Sequence, residues 1–337
     1  MKTFEHGGQI EKFAFDLGCS VAEIIDLSSN INFVKPQINI DFNTLDISSY
    51  PTYDKLYEKI SSNYGVESSQ IELFNGGSSA IFTLFKHLNL NSCTIYSPAY
   101  LEYKKASLNF GYELNTINRF EDINEKVKEN SLVIFVNPST PDGKYYELEE
   151  LMQTWIENSC TILIDESFLD FCDKPSAIKY LETYDKLYIL KSMTKFYSSA
   201  GIRVGTIVST QQNIEKLKEF EPMWKLSQFD SNYLQAALDD KLFKNLSKEL
   251  NVKNKVELEN ILKESDLIEE IFESSANYLL VKLSILNAKE FQELLKPYKI
   301  MLRDCSNFDY LNERFVRIAV KSSSANEIFK KALKEIC

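Results

Sequence analysis

Residues 187–208 read LYILKSMTKFYSSAGIRVGTIV, and this stretch decides the fold. The runs Leu187–Leu190 and Val204–Val208 have the length and composition of buried strands. The segment between them is rich in hydroxyl-bearing and aromatic side chains, and it carries Lys195 and Arg203. A lone lysine usually lies on the surface. Lys195 is a candidate site residue only because of the residues at the ends of the neighbouring strands.

Four further apolar runs read as buried strands, and helical patterns lie between many of them. This alternation predicts an α/β fold with a mainly parallel sheet and helices on both of its faces. In such sheets ligands bind beyond the carboxyl ends of the strands, so the polar residues that follow the runs are candidate site residues. The four runs are Ile71–Phe74, Thr94–Tyr96, Leu132–Val136 and Thr161–Ile164, and the helical patterns are Ser79–Leu88, Ala99–Asn109 and Glu147–Glu157.

The pattern changes after about Ser227, which predicts a second, smaller unit of α+β type. A long helical stretch through Leu262 comes first, and short apolar runs and two further helices follow it. We predict an N-terminal arm in residues 1–40, which completes the small domain or lies across the entrance to the site. Residues 41–235 would form the large domain and residues 236–337 the small C-terminal domain. The later elements are Tyr278–Leu283, Ala288–Leu295, Ile300–Arg303, Phe315–Val320 and Ala325–Ile336.

The composition argues against several classes of function. A net charge of −11 disfavours binding to nucleic acid through its phosphates. The sequence has no run of 18 apolar residues, so we expect no membrane span. Its start, MKTFEHGGQIEK, lacks the apolar run of a signal peptide, so we expect a cytoplasmic protein. The six cysteines are widely spaced and the two histidines have no ligand-spaced partner, so we expect free thiols and no metal site.

Polar residues with complementary chemistry follow the predicted strands. Gly77 and Ser78 come after the first of the four runs and open a helix, where backbone N–H groups and the helix dipole attract anions. Asp165 directly follows the last of these runs, and a buried carboxylate there needs a cationic or protonated partner. Arg203 is one of only five arginines among 38 basic residues, so beside an apolar strand it is a candidate for a bidentate anion contact.

Together with Lys195, these groups predict the cofactor pyridoxal phosphate. Lys195 would form the imine with it, since desolvation and nearby cations favour the neutral amine. Asp165 would hold the pyridine nitrogen protonated, which makes the ring an electron sink. The cofactor phosphate would be held by Gly77, Ser78, Ser192, Thr194 and Arg203.

The sequence as a whole resembles the fold-type-I enzymes that use pyridoxal phosphate, in the class I and II aminotransferase family. Within that family it is similar to the histidinol-phosphate aminotransferase group, and inside that group to the threonine-phosphate decarboxylases. The resemblance implies a mainly parallel seven-stranded sheet with helices on both faces and a smaller α+β C-terminal domain. It rests on His6-Gly7-Gly8, Ser28–Asn32, Tyr50-Pro51, Asp165–Phe171, Ser192–Tyr197, Gly201–Arg203, Ala276–Leu280, Leu302-Arg303 and Arg317–Val320.

The resemblance also implies roles for the matching residues. Lys195, Asp165 and Tyr100 would be the catalytic residues, with Tyr100 stacked on the cofactor ring. Tyr50 would reach the cofactor phosphate from the partner subunit, which implies a homodimer with shared active sites. The substrate would be bound by His6, Asn32, Arg303 and Arg317.

Two residues of the implied cofactor site depart from the family pattern. Thr140 stands where the family usually has an asparagine that bonds to the ring oxygen of the cofactor. A threonine hydroxyl can donate one hydrogen bond but is shorter than asparagine, so we predict a weaker or water-mediated contact and an altered pKa of the imine. Phe168 stands where the aminotransferases often have a tyrosine, and in this it resembles the decarboxylase-like members. Lys321 stands where the decarboxylase pattern carries an arginine.

The sequence leaves two reactions open. We expect decarboxylation, because the His6-Gly7-Gly8 start, the Phe168 motif and the C-terminal matches resemble the decarboxylases. Two arginines for substrate anions suit a small phosphorylated amino acid similar to phosphothreonine or phosphoserine. The alternative is an aminotransferase that acts on a small phosphorylated substrate and uses a second substrate, usually glutamate. The intact set of Asp165, Lys195 and Arg203 disfavours a non-catalytic binding protein of this fold. A nicotinamide enzyme is disfavoured because no GxGxxG follows an early strand.

Overall fold

The computed structural model describes residues 8–336 and arranges their strands in sheets of seven, four and two strands. In chain order the strands are β1 (Ile25–Asp26), β2 (Ile71–Asn75), β3 (Ser92–Ser97), β4 (Glu113–Asn118), β5 (Leu132–Val136), β6 (Thr161–Asp165), β7 (Leu187–Ser192), β8 (Val204–Val208), β9 (Ile268–Ile271), β10 (Tyr278–Leu283), β11 (Ile300–Met301), β12 (Arg303–Asp304) and β13 (Phe315–Ala319).

Eleven α-helices lie within the same residues, and none of them is both long enough and apolar enough to cross a membrane. In chain order they are α1 (Ile10–Asp16), α2 (Asp54–Tyr64), α3 (Gly76–Leu88), α4 (Leu101–Asn109), α5 (Glu149–Glu157), α6 (Met193–Phe196), α7 (Gln211–Lys218), α8 (Gln228–Asp239), α9 (Lys241–Lys263), α10 (Ala288–Leu295) and α11 (Ser323–Ile336).

The seven-stranded sheet has the strand order β2-β8-β7-β6-β5-β3-β4. Six of its strands share one direction, and β8 runs against both of its neighbours. The prediction of a mainly parallel seven-stranded sheet is therefore confirmed. Because β3, β5, β6 and β7 are parallel, their carboxyl ends lie along one edge of the sheet, and the residues that follow these strands meet there.

Alternate residues of the central strands pack into two separate apolar cores. On β5, Val133 and Phe135 belong to the core that contains Trp155, whereas Leu132 and Ile134 belong to the other. Successive side chains of a strand point to opposite faces, so both faces of this sheet are buried under helices and loops. This burial explains why β5 reads as an uninterrupted apolar run.

The four-stranded sheet is antiparallel and forms the smaller α+β unit that the fold class predicts. Its strand order is β12-β13-β10-β9. Arg303 on β12 lies directly opposite Arg317 on β13. Close by in the sequence, β11 pairs in parallel with β1, so that Ile25 lies opposite Ile300. The domain boundaries at residues 40 and 235 stay predictions.

The sequence pattern overlooks β4 and β9 and merges two helices. The strand β4 has the polar sequence ELNTIN and lies at the edge of the large sheet, so it carries no apolar run. β9 is likewise a partly exposed edge strand. The helical stretch after Ser227 is interrupted at Asp240, whose carboxylate accepts a hydrogen bond from the Phe243 N–H and caps α9.

Candidate active site

A cavity of about 230 Å³ lies beyond the carboxyl ends of β6 and β7, against residues of the four-stranded sheet. It brings together twelve of the fifteen residues that the sequence predicts for the cofactor and the substrate. They are Gly77, Ser78, Tyr100, Thr140, Asp165, Phe168, Ser192, Thr194, Lys195, Arg203, Arg303 and Arg317.

The start of α3 forms one end of the cavity. The side chain of its N-cap residue Asn75 accepts no hydrogen bond from the first N–H groups of α3, so it does not compete with an anion for them. Gly76 has a φ of +80°, and a Cβ at this position would overlap the guanidinium of Arg203. A Cβ at Gly205 on β8 would lie 2.6 Å from the Gly77 nitrogen. The two glycines therefore let Arg203 and β8 lie directly against a helix start, where an anion is favoured.

Hydroxyl groups surround this helix start. The Ser78 and Tyr100 hydroxyls lie 3.2 Å apart, and the Ser192 and Thr194 hydroxyls lie 2.9 Å apart. Burial raises the pKa of Tyr100, so its hydroxyl keeps its proton. Each hydroxyl has one proton, so one member of each pair donates to the other, and the accepting member keeps its proton for an anion.

Lys195 lies in the short helix α6, directly after β7. Its carbonyl accepts a hydrogen bond of 3.0 Å from the Asn32 N–H, which ties the lysine segment to the N-terminal part of the chain. Burial lowers the pKa of Lys195 to about 8, the positive charges of Arg317 and Arg203 act in the same direction, and Asp165 opposes them. A lysine with this pKa has a neutral fraction near neutral pH, and the neutral amine is the nucleophile.

Asp165 ends β6 and is almost completely buried. Its Oδ2 accepts a hydrogen bond of 2.7 Å from the Tyr103 hydroxyl. Its Oδ1 accepts hydrogen bonds from the N–H and the hydroxyl of Ser167. Burial raises the pKa of Asp165, while these three bonds act to lower it. The donors therefore favour the ionised carboxylate, the form that can hold a proton on a ring nitrogen.

Arg303 and Arg317 form one wall of the cavity, and each is 8% exposed. Arg317 donates to Thr140 Oγ1 and to the Ser28 carbonyl, each over 3.2 Å. Arg303 Nη2 donates to Asn307 Oδ1 over 2.8 Å. Like charges directly opposite each other destabilise a sheet, so this cross-strand pair favours an anionic ligand beside it.

Three predicted residues do not line the cavity. Tyr50 is 72% exposed and stacks on Trp224 with ring centroids 4.0 Å apart. The Asn32 side chain is buried and donates to the Phe196 carbonyl and the Ser247 hydroxyl. It therefore stabilises the segment that carries Lys195 and does not contact the cavity. His6 lies outside the described residues.

Four polar or aromatic residues line the cavity or bond to its groups without having been predicted from the sequence: Asn30, Tyr103, Ser167 and Phe308. Two of them had a signal. Tyr103 follows Tyr100 by three residues and therefore shares its helix face. Ser167 follows Asp165 by two residues, the spacing at which an aspartate bonds the backbone and starts a turn.

Two relatives match nearly the whole chain. The putative threonine-phosphate decarboxylase of Caldanaerobacter subterraneus subsp. tengcongensis is 30% identical over 99% of this chain and 94% of its own length. The adenosylcobalamin biosynthesis bifunctional protein CobDQ of Leptospira interrogans is 28% identical over 97% of this chain, which spans only 40% of that relative.

Solved structures agree with the fold. The histidinol-phosphate aminotransferase from Clostridium acetobutylicum superimposes with a TM-score of 0.83 at 26% identity, over 93% of this chain and 99% of that one. A histidinol-phosphate aminotransferase from Sinorhizobium meliloti, solved in complex with pyridoxal-5'-phosphate, has a TM-score of 0.82 over 98% and 95% of the two chains. Its identity of 15% shows the fold alone.

The family model for aminotransferase class I and II matches residues 24–336, which is most of the chain. These residues include the whole cavity described above. The chain therefore belongs to the aminotransferase class I and II family, and this membership implies pyridoxal phosphate as its cofactor.

Proposed function

We propose that this chain is a decarboxylase that uses pyridoxal phosphate to convert a small phosphorylated amino acid, similar to phosphothreonine or phosphoserine, into a phosphorylated amino alcohol. One observation carries the proposal. A single cavity holds an amine of lowered pKa, Lys195, a buried carboxylate, Asp165, and two arginines on one wall. The name of the 30% identical relative supports decarboxylation as the reaction.

The groups around the cavity fit the cofactor. Arg203 beside the start of α3 offers positive charge and N–H donors in one place, which suits a phosphate. Tyr100 offers an aromatic face, Asp165 an acceptor for a ring nitrogen, and Thr140 a hydroxyl donor for a ring oxygen. We propose that the cofactor contacts Gly77, Ser78, Tyr100, Thr140, Asp165, Phe168, Ser192, Thr194, Lys195 and Arg203.

Pyridoxal phosphate, when bound, supplies an aldehyde that joins to amines and a protonated ring that accepts an electron pair. Lys195 Nζ would hold the cofactor between turnovers, because its lowered pKa makes the neutral amine available. Lys195 Nζ would take up the proton that the incoming substrate ammonium gives up, and after CO2 leaves it would deliver this proton to Cα.

Asp165 would keep its negative charge throughout the reaction. The Tyr103 and Ser167 donors oppose the burial that raises the pKa of Asp165. An ionised Asp165 would hold a proton on the ring nitrogen facing it. Tyr100 and Phe168 would exclude water from this part of the cavity.

Arg303 and Arg317 would select the substrate through its anionic groups. An arginine binds phosphate or carboxylate with two parallel N–H bonds, which a lysine cannot reproduce. Both guanidinium groups are largely removed from water, where a charge-assisted hydrogen bond is strongest. Because there are two arginines, we propose a substrate with two anionic groups, a carboxylate and a phosphate.

The decisive experiment is product analysis with the purified protein and added pyridoxal phosphate. Incubation with phosphothreonine or phosphoserine should release CO2 and a phosphorylated amino alcohol in equal amounts, without a keto acid. The unphosphorylated amino acids serve as the matched substrates and should react far more slowly. A protein without a cofactor absorbance band after addition of pyridoxal phosphate would contradict the proposal at its first step.

The second candidate is an aminotransferase on a small phosphorylated substrate. It is favoured by the close structural match to a histidinol-phosphate aminotransferase at 26% identity. This reaction consumes an amino donor, so glutamate should be converted to 2-oxoglutarate in the presence of an acceptor. Such conversion without release of CO2 from the phosphorylated amino acids would replace the decarboxylase assignment.

We further propose that the protein acts as a homodimer with shared active sites. A groove beside Tyr50 contains a cluster of exposed apolar side chains, among them Phe42, Ile47 and Trp224. Exposed apolar patches of this kind mark protein contacts. In this arrangement the Tyr50 hydroxyl would reach the cofactor phosphate of the partner subunit.

A further inference from the structure

The cavity wall that carries Arg303 continues into residues 305–311, which we name the clasp segment. It directly follows β12 and returns the chain towards β13. Cys305, Phe308 and Leu311 of this segment pack with Leu280 of β10 in a small apolar core of their own. The base of the segment therefore packs on the four-stranded sheet, and its tip reaches α4 and β4 beside the seven-stranded sheet.

An ion pair fastens the tip of the clasp segment to α4. Lys104 Nζ donates to both carboxylate oxygens of Asp309, over 2.9 and 3.1 Å. Both side chains are partly buried, which strengthens the pair relative to a fully exposed one. The same helix begins next to Tyr100, so the pair connects the clasp segment to the element that positions a cavity residue.

A second attachment joins the clasp segment to the edge strand β4. The Tyr310 hydroxyl donates to the Thr116 carbonyl over 3.0 Å and lies 2.7 Å from the Thr116 hydroxyl. Tyr310 has a φ of +63°, a conformation that is uncommon for residues other than glycine. Residues held in this region persist where surrounding contacts over-determine them, and here the two bonds to Thr116 do so.

The clasp segment in turn holds Arg303. Asn307 Oδ1 accepts a hydrogen bond of 2.8 Å from Arg303 Nη2, and the guanidinium lies 5.3 Å from the centre of the Phe308 ring. Asn307 and Phe308 stand directly before Asp309 and Tyr310, the two attached residues. Any displacement of the attachments would therefore reach the guanidinium through two intervening side chains.

We propose that Lys104, Asp309, Tyr310 and Thr116 are positioning residues that close the clasp segment and thereby aim Arg303 at an anionic group of the substrate. The proposal rests on the proposed function, because it assigns an anionic substrate to this wall. The proposal adds that two contacts of the clasp segment, one with α4 and one with β4, set the affinity for that anion. Neither contact involves a group that would bind the cofactor.

The test uses Lys104→Met and Tyr310→Phe, each of which removes one attachment. Lys104→Arg keeps the charge and should restore the behaviour of the native protein. Lys105→Met is the matched control, since Lys105 lies on the same helix and pairs with Glu102 at 3.8 Å, a residue outside the clasp segment. Tyr298→Phe controls for loss of a hydroxyl, because Tyr298 bonds Glu335 and neither residue lines the cavity.

Two measurements decide the proposal. The first is hydrogen exchange of residues 304–311 in the protein without ligands, which both test variants should speed up and both controls should leave unchanged. The second is the affinity for inorganic phosphate, measured by calorimetry on protein saturated with pyridoxal phosphate. Each test variant should weaken it about three- to tenfold, the scale of one hydrogen bond or one partly buried ion pair, with unchanged cofactor affinity. When Arg303→Lys is added to Lys104→Met, phosphate affinity should fall little further, because Lys104→Met has already misplaced the arginine.

Faster exchange with native phosphate affinity would overturn the proposal, since the clasp segment would then be attached without aiming Arg303. Unchanged exchange in both test variants would overturn it as well. Failure to take up pyridoxal phosphate would instead contradict the proposed function. In that case the proposal for the clasp segment is tested on the cofactor-free protein. Hydrogen exchange and phosphate affinity are then measured on this protein and on its Arg303→Lys variant.

Discussion

Arg317 donates a hydrogen bond of 3.2 Å to Thr140 Oγ1, and this bond joins the four-stranded sheet to the loop after β5. The family usually has an asparagine at the position of Thr140. Because the threonine oxygen accepts from Arg317, its single proton remains available for another acceptor in the cavity. Threonine at this position therefore offers one hydroxyl donor on a short side chain, in place of the amide donor on the longer asparagine side chain.

The first prediction concerns this donor. In protein saturated with pyridoxal phosphate, Thr140→Val should raise the pH midpoint of the cofactor's absorbance change, and Thr140→Asn should lower it. A hydrogen bond donated to the ring oxygen stabilises the negative charge on that oxygen. The oxygen then holds the proton on the lysine-linked nitrogen less strongly, so this proton is lost at a lower pH. The shifts should be about 0.5–1 pH unit, since one hydrogen bond is worth about 1 kcal/mol. A common midpoint for all three proteins would show that Thr140 makes no such contact.

A second prediction concerns Tyr103, which donates to Asp165. Tyr103→Phe should raise the pKa of Asp165, because a donor to the carboxylate is lost and burial then acts with less opposition. Affinity for pyridoxal phosphate should fall about tenfold or more, since a hydrogen bond to a charged group is worth about 1.5–3 kcal/mol. Carbon-13 NMR of the cofactor-free protein would follow the carboxyl directly.

Tyr112→Phe is the matched control for Tyr103→Phe. The Tyr112 hydroxyl is also buried and donates to the Phe85 carbonyl over 2.7 Å, but neither residue lines the cavity. Its loss should lower stability without a change in cofactor affinity. Equal affinities in the two variants would argue against a role of Tyr103 in supporting Asp165.

The third prediction follows from the lowered pKa of Lys195. A basic group whose pKa is lower in the folded state costs stability while it is protonated, so the penalty is full below about pH 8 and disappears as the pH approaches 10.5. Lys195→Met should therefore stabilise the cofactor-free protein at pH 7 by on the order of 2 kcal/mol. The gain should shrink between pH 8 and pH 10.5. Urea unfolding at pH 7 and pH 9.5 measures both values.

Lys191→Met separates this effect from the general removal of a lysine. Lys191 lies four residues earlier and forms an almost completely buried ion pair with Glu166. Its removal leaves the carboxylate buried without its cation, which typically costs about 3–5 kcal/mol. The two variants should thus change stability in opposite directions. A loss of stability in Lys195→Met at pH 7 would contradict the lowered pKa.

The large sheet and most of the residues that line the cavity could be predicted because each depends on local sequence. β5, β6 and β7 are buried on both faces and therefore read as apolar runs, and the residues after them meet at one edge of the sheet. The edge strand β4 could not be predicted, because only one of its residues is buried.

The contacts around the cavity were harder to predict because they join distant parts of the chain. The Lys104–Asp309 pair links residues 205 positions apart, and nothing in a run of sequence marks either member. Tyr103 is one of 18 tyrosines, and only the meeting of α4 with β6 gives it a carboxylate to bond. Arg303 and Arg317 could be proposed from family resemblance, but their cross-strand register depends on the folded small sheet.

The last prediction concerns the proposed homodimer. Met223 and Trp224 are 74% and 50% exposed, and Trp224 stacks on Tyr50, the residue proposed to reach the partner's cofactor phosphate. Met223→Glu should weaken association, because burying a carboxylate in an apolar interface is costly. Sedimentation velocity should then show monomers at concentrations where the native protein is dimeric, and cofactor affinity should fall together with association. Leu242→Glu on α9, at a residue that is 82% exposed and remote in sequence, should change neither property. A native protein that sediments as a monomer would remove the partner's Tyr50 from the site.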